Sequence, residues 1–275
     1  MNNLKYSVLM SVYFRENPEY LRSSILTMIS QSVPPDEIII VKDGPLTDKL
    51  LNVLDEFENN NSINVISLEE NVGLGKALNI GLNKCRNDLV ARMDTDDISL
   101  KDRCEKQLEC FFNNEKLSVI GTVVAEFIDS PDNIVAYKNV RKTNNEIKKH
   151  MKYRNPMNHP SVMFKKKDVE KAGGYQHFLL NEDYYLWIRM MQCGFEFKNI
   201  DEPLVKMRIT NETYLRRGGW KYFLTQKNLL DYMLKSRFIN IFEYIFNIII
   251  RFVTRVLMSN RMRKNFYLKV LRRKL

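Results

Sequence analysis

The strongest constraint on the fold is a rhythm in the first third of the chain. The short apolar runs "YSVLMSVY", "EIIIVKDG", "INVISLEEN" and "DLVARMD" alternate with "PEYLRSSILTMISQ", "TDKLLNVLDEFENN" and "GLGKALNIGLNKC". Apolar residues recur at helical spacing in the longer stretches: Leu21, Ile25, Met28 and Ile29, then Leu50, Val53, Leu54 and Phe57. Strands separated by helices of this length imply crossover connections and a parallel sheet. In such sheets ligands bind beyond the carboxyl ends of the strands. Tyr13, Asp43 and the group Asp94, Asp96 and Asp97 all stand at such ends, so three distant segments are expected to meet in one cleft.

After residue 97 the pattern loosens. A helix in "SLKDRCEKQLECFFNN" leads to strand-like "SVIGTVVAEFI" and "NIVAYKNV", then to "NPMNHPSVMFKK", "AGGYQHFLLNEDYYLWIRMMQCG" and "EFKNIDEPLVKMRI". From about residue 206 the chain is helical and basic, which divides it into 1–97, 98–205 and 206–275. A length of 275 residues with 44% hydrophobic content is ample for a large core. The net charge of +10 is uneven: from residue 205 there are 17 Lys or Arg and 3 Asp or Glu, against 26 basic and 30 acidic groups before it. A mildly acidic body thus carries a basic tail, which calls for an anionic partner or plain solvation.

The four cysteines, Cys85, Cys104, Cys110 and Cys193, form no CxxC pair, and His150, His159 and His177 complete no zinc spacing, so a reducing cytosol is expected. The N-terminal "MNNLKYSVLMSVYF" meets "ENP" too soon for a secretory signal and reads as a strand. Near the other end, Glu243, Arg251 and Arg255 break up an apolar stretch, so the roughly 20 residues needed to span a bilayer are lacking. Ile239, Phe242, Phe246, Ile249, Phe252, Val253 and Val256 share one helical stripe, with Asn240, Glu243, Asn247, Arg251 and Arg255 opposite. Such a helix suits an anionic membrane surface; the alternative is packing on the protein's own core.

Several segments could carry chemistry. Asp94-Thr95-Asp96-Asp97 offers hard oxygen ligands for Mg²⁺ or Mn²⁺, or else caps a helix starting at Ile98. "NVGLGKALNIGL" fails as a dinucleotide fingerprint, because Leu78 stands where the third glycine belongs. It remains either a loop that lets a ribose or phosphate approach the backbone or a turn before a helix. Glu182 and Asp183 open an aromatic helix, where partial desolvation would suit a general base and where acidic residues also serve as ordinary caps. Arg216 and Arg217 precede two glycines, as phosphate-binding arginines or as a solvated basic turn. His159, beside a proline, reads first as a structural hydrogen-bonding group.

Taken in order, "YSVLMSVY", "EIIIVKDG", "NVGLGKALNIGL", "ARMDTDDISLKDRCEKQ", "NPMNHPSVMF", "GGYQHFLLNEDYYLWIRM" and "YLRRGGW" resemble the inverting family 2 glycosyltransferases, in particular the bacterial enzymes that build O-antigen and exopolysaccharide repeat units. The resemblance covers about residues 5 to 222. It implies an α/β, GT-A fold: a Rossmann-like, mostly parallel sheet with helices on both faces, here with amphipathic C-terminal helices. Residues 1–97 would then bind the nucleotide-sugar and 98–205 the acceptor.

By position, the resemblance places Tyr13, Glu16, Asp43 (at the uracil), Lys76 and Asp94 on the donor, Asp96 and Asp94 at Mn²⁺ or Mg²⁺, and Asp183 as catalytic base. Asn158, His159, Glu182, Arg216 and Arg217 fall on the acceptor and diphosphate side. "YLRRGGW" is not the QxxRW motif of processive members, which implies single addition. The expected reaction moves glucose or galactose from a UDP-sugar to N-acetylhexosamine-diphospho-polyprenol, by a β1,3 linkage, at the inner face of the cytoplasmic membrane. Two rivals are weaker. A sugar-1-phosphate nucleotidyltransferase would carry glycine in its first loop, where this chain has "SVYFRENP", and a nucleic-acid-binding protein would leave the aspartates without a task, so no nucleic acid is expected.

Overall fold

The computed structural model describes residues 4–210, 218–260 and 262–263. The rhythm of the first third is realised as β1 (Tyr6–Val12), α1 (Pro18–Ile29), β2 (Glu37–Lys42), α2 (Asp48–Asp55), β3 (Ile63–Ser67), α3 (Leu74–Lys84) and β4 (Leu89–Arg92). These four strands are parallel in the order β3-β2-β1-β4. Their side chains alternate between two cores, as a central strand buried on both faces requires. Leu9, Ile39, Val41 and Val90 join Ala77, Leu78 and Leu82 of α3 on one face. Val8, Met10, Ile38, Ile40 and Ala91 join Leu21 and Ile25 of α1 and Leu50 and Val53 of α2 on the other.

The remainder extends this sheet with β5 (Ile98–Ser99), α4 (Arg103–Asn113), β6 (Leu117–Phe127), β7 (Ile134–Lys138), α5 (Asn144–Met151), a 3₁₀ turn (His159–Ser161), β8 (Met163–Lys165), α6 (Lys166–Lys171), α7 (Glu182–Gln192) and β9 (Glu196–Arg208). The nine-stranded sheet runs β3-β2-β1-β4-β8-β6-β9-β5, with β7 beside β6. The short β8 is antiparallel to both β4 and β6 and so splices the parallel half to the rest. All eleven residues of β6 are buried, since β8 and β7 share one of its edges while β9 lies parallel along the other. Helices cover both faces: α4 lies with α1 and α2, and α7 lies with α3.

Among the described residues the chain continues with α8 (Trp220–Lys235) and α9 (Ile241–Phe252), the latter running into a π turn at Val253–Leu257. A capping box between Asn240 and Glu243 starts α9. The helix packs on the body through a mixed face, in which Tyr244 and Ile248 meet the core beside polar groups. Asn247 and Arg251 are buried, whereas Phe242 is 80% exposed and Ile245, Phe246, Ile249 and Ile250 are about half exposed. No helix among the described residues is long and apolar enough to cross a membrane.

Candidate active site

The aspartate run emerges from the carboxyl end of β4, at the centre of the sheet. It caps no helix: Ile98 and Ser99 pair with Lys206 and Val205 of β9, and α4 begins only at Arg103. Oxygens of Asp94, Asp96 and Asp97 lie within 4.8 Å of one another. Crowding of this kind disfavours the ionised forms. Burial and the charge of Asp94 push Asp96 up to about 6, and burial together with Asp96 and Asp94 holds Asp97 well above the usual carboxylate range. Glu16 lies against the same group and is pushed up to about 7, first by burial, then by Asp96 and Asp94.

Two arginines brace this cluster. Arg92, 1% exposed, forms an ion pair with Asp94. Burial alone would lower its proton affinity, and Asp94, with Tyr175 and Asp97, more than restores it. Arg208, from the end of β9, donates its backbone N–H to Asp97 Oδ1 (2.9 Å) and its Nε to the carbonyl of Asp96 (3.2 Å), while its guanidinium sits 3.6 Å from the centroid of the Tyr20 ring. Even so, Asp97 Oδ2 is buried with no hydrogen-bond partner among the described residues. Three converging hard-oxygen donors, one of them an orphaned carboxylate oxygen, fit Mg²⁺ or Mn²⁺.

On the β2 side, Asp43 is 4% exposed and ties down the loop that enters α3. Its Oδ1 accepts from the Val72 N–H (2.7 Å), and its Oδ2 accepts from the Gly73 N–H and Asn71 Nδ2 (3.1 Å each). Gly73 takes a φ of +87°, which a side chain would resist, and begins α3. A Cβ at Gly75 would lie 2.9 Å from the Gln176 carbonyl and 3.0 Å from Glu182 Cγ, so the missing side chain lets α3 and α7 approach closely. Lys76 is exposed in the first turn of α3. Half-buried Tyr13 meets Phe14 edge to face (5.8 Å), and its carbonyl accepts from the Glu16 N–H (3.1 Å).

At the start of α7, Asp183 Oδ2 accepts a hydrogen bond from Asn155 Nδ2 at 2.6 Å. Burial raises the proton affinity of Asp183 against the lowering effect of backbone and Asn155 hydrogen bonds, and burial pushes neighbouring Glu182 up to about 7. Burial and the nearby Arg92 hold His159 well below its ordinary value, so it is neutral; its Nε2 lies 2.9 Å from the Tyr175 hydroxyl. Asn158 is 1% exposed and donates to the Thr122 carbonyl (2.9 Å), bracing β6 behind the cleft. Arg216 and Arg217 lie outside the described residues.

The sheet therefore brings strand-end aspartates, the α3 loop and the start of α7 to one place, and a family model described as glycosyl transferase family 2 matches residues 7–173. The chain belongs to glycosyl transferase family 2. Across 98% of this chain and 97% of the relative it is 38% identical to an Escherichia coli UDP-Gal:alpha-D-GlcNAc-diphosphoundecaprenol beta-1,3-galactosyltransferase. It is 39% identical to the amylovoran biosynthesis glycosyltransferase AmsE of Erwinia amylovora, over 84% of this chain and 85% of that one. Among solved structures, S. aureus TarS 1–349 in complex with UDP-GlcNAc superposes with a TM-score of 0.66 at 15% identity, covering 97% of this chain and 76% of that one. The Pyrobaculum calidifontis mannosyltransferase PcManGT, with GDP-Man and Mn2+, gives 0.63 at 12%, covering 93% and 70%. At such identities the likeness is one of fold, the GT-A type.

Membership of a glycosyltransferase family makes this α/β body a sugar-transfer enzyme rather than a nucleotidyltransferase. Sequence reasoning overlooked Arg92, Arg208 and Asn155. For Arg92 a signal existed, because a guanidinium inside the apolar run "LVARMD" must be buried and therefore paired. Arg208 and Asn155 are recruited by tertiary contacts alone.

Proposed function

We propose that this enzyme transfers a hexose, glucose or galactose, from a UDP-sugar to an N-acetylhexosamine-diphospho-polyprenol, forming a β1,3 linkage during O-antigen or exopolysaccharide repeat-unit assembly. The observation that carries this reading is the near full-length, 38% identity to a relative named for that donor, acceptor and linkage. The grouping of Asp94, Asp96 and Asp97 at the sheet's ligand-binding edge supports it, with a separate carboxylate, Asp183, on α7. Residues 1–97 form the donor half in this reading, 98–205 the acceptor half and 206–275 the membrane-associating region, which works peripherally on the inner face of the cytoplasmic membrane.

Asp183 takes the proton from the acceptor hydroxyl. The oxygen attacks the anomeric carbon from the side opposite UDP, the bond to the diphosphate breaks, and configuration inverts in one displacement. The hydrogen bond from Asn155 holds the carboxylate in one orientation, and burial keeps its proton affinity high enough to accept the proton. Asp96 and Asp94 would hold Mn²⁺ or Mg²⁺, whose charge would offset that of the departing diphosphate. Glu16 and Tyr13 flank the nucleotide, Asp43 and Lys76 lie on the uracil and ribose side, and neutral His159 with Glu182 lines the acceptor side. Arg216 and Arg217 belong to the diphosphate in the same reading.

The test is transfer from UDP-galactose and UDP-glucose to a synthetic N-acetylglucosamine-diphospho-lipid with Mn²⁺, the anomer of the product being read by NMR coupling. A β-linked disaccharide is expected. Absence of transfer from any UDP-sugar would overturn the reading.

A further inference from the structure

Helix α9 is built inside out. A helix lying on a globular body normally turns its apolar stripe inward. Here the inner face sets Glu243, Asn247 and Arg251 beside Tyr244 and Ile248, which pack on the core, and each of the three polar groups is engaged. Glu243 pairs with Lys152 (2.8 Å), Asn247 Nδ2 donates to the Lys152 carbonyl (3.2 Å), and Arg251 Nη2 donates to the Tyr153 carbonyl (3.2 Å). The outer face presents Phe242, Ile245, Phe246, Ile249 and Ile250, continued by Leu257 at 63% exposure. At one end of this strip Trp220, 56% exposed, meets the Phe252 ring edge to face at 6.2 Å. A contiguous apolar surface of this kind marks an interaction site.

The inner face reaches the catalytic helix by two routes. Asn155, two residues beyond the carbonyl that Arg251 holds, donates to Asp183 Oδ2. Arg251 Nη1 also donates to Gln226 Oε1 (3.0 Å), and Gln226 in turn donates to Asn181 Oδ1, on the residue preceding α7. Arg251 is only 6% exposed, so these bonds form away from water, where an unpaired guanidinium would be costly.

We infer that α9 docks its outer face into an anionic lipid bilayer and that its inner face, through Arg251 and Asn247, positions Asp183. The occupant is lipid on grounds of charge. From residue 205 onward cations outnumber acids by 17 to 3, and in the described part Asp231 and Glu243 are each tied to a lysine, Lys227 and Lys152. Aromatic side chains beside cations are the composition of an interfacial helix. The inference rests on the reading of Asp183 as the base, and it makes seating on the membrane and alignment of that carboxylate parts of one structural unit.

The docking half is tested with Phe242→Glu combined with Ile249→Glu, both on the exposed face. Wild type should co-sediment with vesicles containing phosphatidylglycerol and far less with phosphatidylcholine alone, and the variant with neither. The variant should lose about tenfold or more in rate on acceptor embedded in those vesicles, as expected from losing a few kilocalories of interfacial attachment, while transfer to a short-chain, water-soluble acceptor is unchanged. Co-sedimentation of the variant like wild type overturns docking. So does equal binding to neutral vesicles, or a wild-type dimer that the variant dissolves, which would put a second copy of the chain on this face.

The positioning half is read on the water-soluble acceptor. Arg251→Met should lower kcat, leave KM for the UDP-sugar unchanged and shift the acid limb of the pH profile, with Arg251→Lys recovering part of the rate. Asn247→Ala should act in the same direction if Arg251→Met does not fold. A fall in melting temperature alone, with kcat and the acid limb unmoved, overturns it. Failure of wild type to use any UDP-sugar would instead sink the donor reading, while vesicle binding would still stand or fall by itself.

Discussion

Two acidic groups face the same cleft under opposite physics. Asp94, Asp96 and Asp97 crowd together, and burial with the neighbouring carboxylates raises the proton affinity of Asp96 and Asp97, so the cluster is short of positive charge even with Arg92 and Arg208 beside it. Asp183 has burial as the chief cause of its shift, opposed by hydrogen bonds from two neutral donors, the Tyr184 backbone and Asn155. A cluster relieved by a cation is suited to holding an anionic diphosphate through that cation. A lone, desolvated carboxylate with a free lone pair is suited to taking a proton. In the proposed mechanism the contrast assigns carboxylates of one cleft to different tasks by environment rather than by residue type.

The sharpest way to break this division is Asp183→Asn, which keeps the shape and removes the proposed base. Its kcat should fall by about 10²- to 10⁴-fold, while thermal stabilisation by UDP with Mn²⁺ persists; loss of that stabilisation would mean that Asp183 belongs to the donor site. Asp96→Ala should do the converse. At ligand about 100 times its Kd, roughly 2.7 kcal/mol of metal-dependent stabilisation by UDP would disappear, and calorimetry with and without Mn²⁺ checks this.

Asn155→Ala sharpens the comparison on the Asp183 side. Losing a donor to the carboxylate raises its proton affinity, and the base must be ionised to act, so activity should fail sooner as pH falls. The acid limb of log kcat against pH should move up by about one unit; an unmoved limb would remove Asn155 from the site. The smallest effect concerns Glu182, raised to about 7 by burial. A carboxyl raised in the fold contributes stability that is fully present below 4.5 and lost as pH rises from there through about 7. Glu182→Gln should therefore melt several degrees above wild type near pH 8 and level with it only near pH 4, below the ordinary carboxyl value of 4.5, as thermal scans at both values would reveal.

Much of this was legible in the sequence, and for a definite reason. β1, β2 and β4 are buried on both faces, so they read as continuous apolar runs, and the helices between them carry clear stripes. The insertion of β8 between β4 and β6 was not legible, because three residues, Met163–Lys165, have no period. Helix α5 escaped notice although Thr143 and Glu146 form a capping box ahead of it. In the site, the residues at strand ends could be named from position alone. Arg208 and Asn155 could not, since their roles come from packing across the sheet. Helix α9 shows a further limit: periodicity reveals that two faces exist and carries no sign of which one turns inward.

The bond from the Arg208 N–H to Asp97 joins residues 111 apart, and β5 pairs with the same strand, β9. A protein made from its N-terminus therefore completes the sheet's parallel half early on the ribosome and its aspartate loop late. Nascent chains released short of β9 should carry packed strands and every aspartate of the cluster, yet lack the clamp that holds them together. Closure of the aspartate loop thus waits until residue 208 of 275 has been made, long after the parallel half is complete.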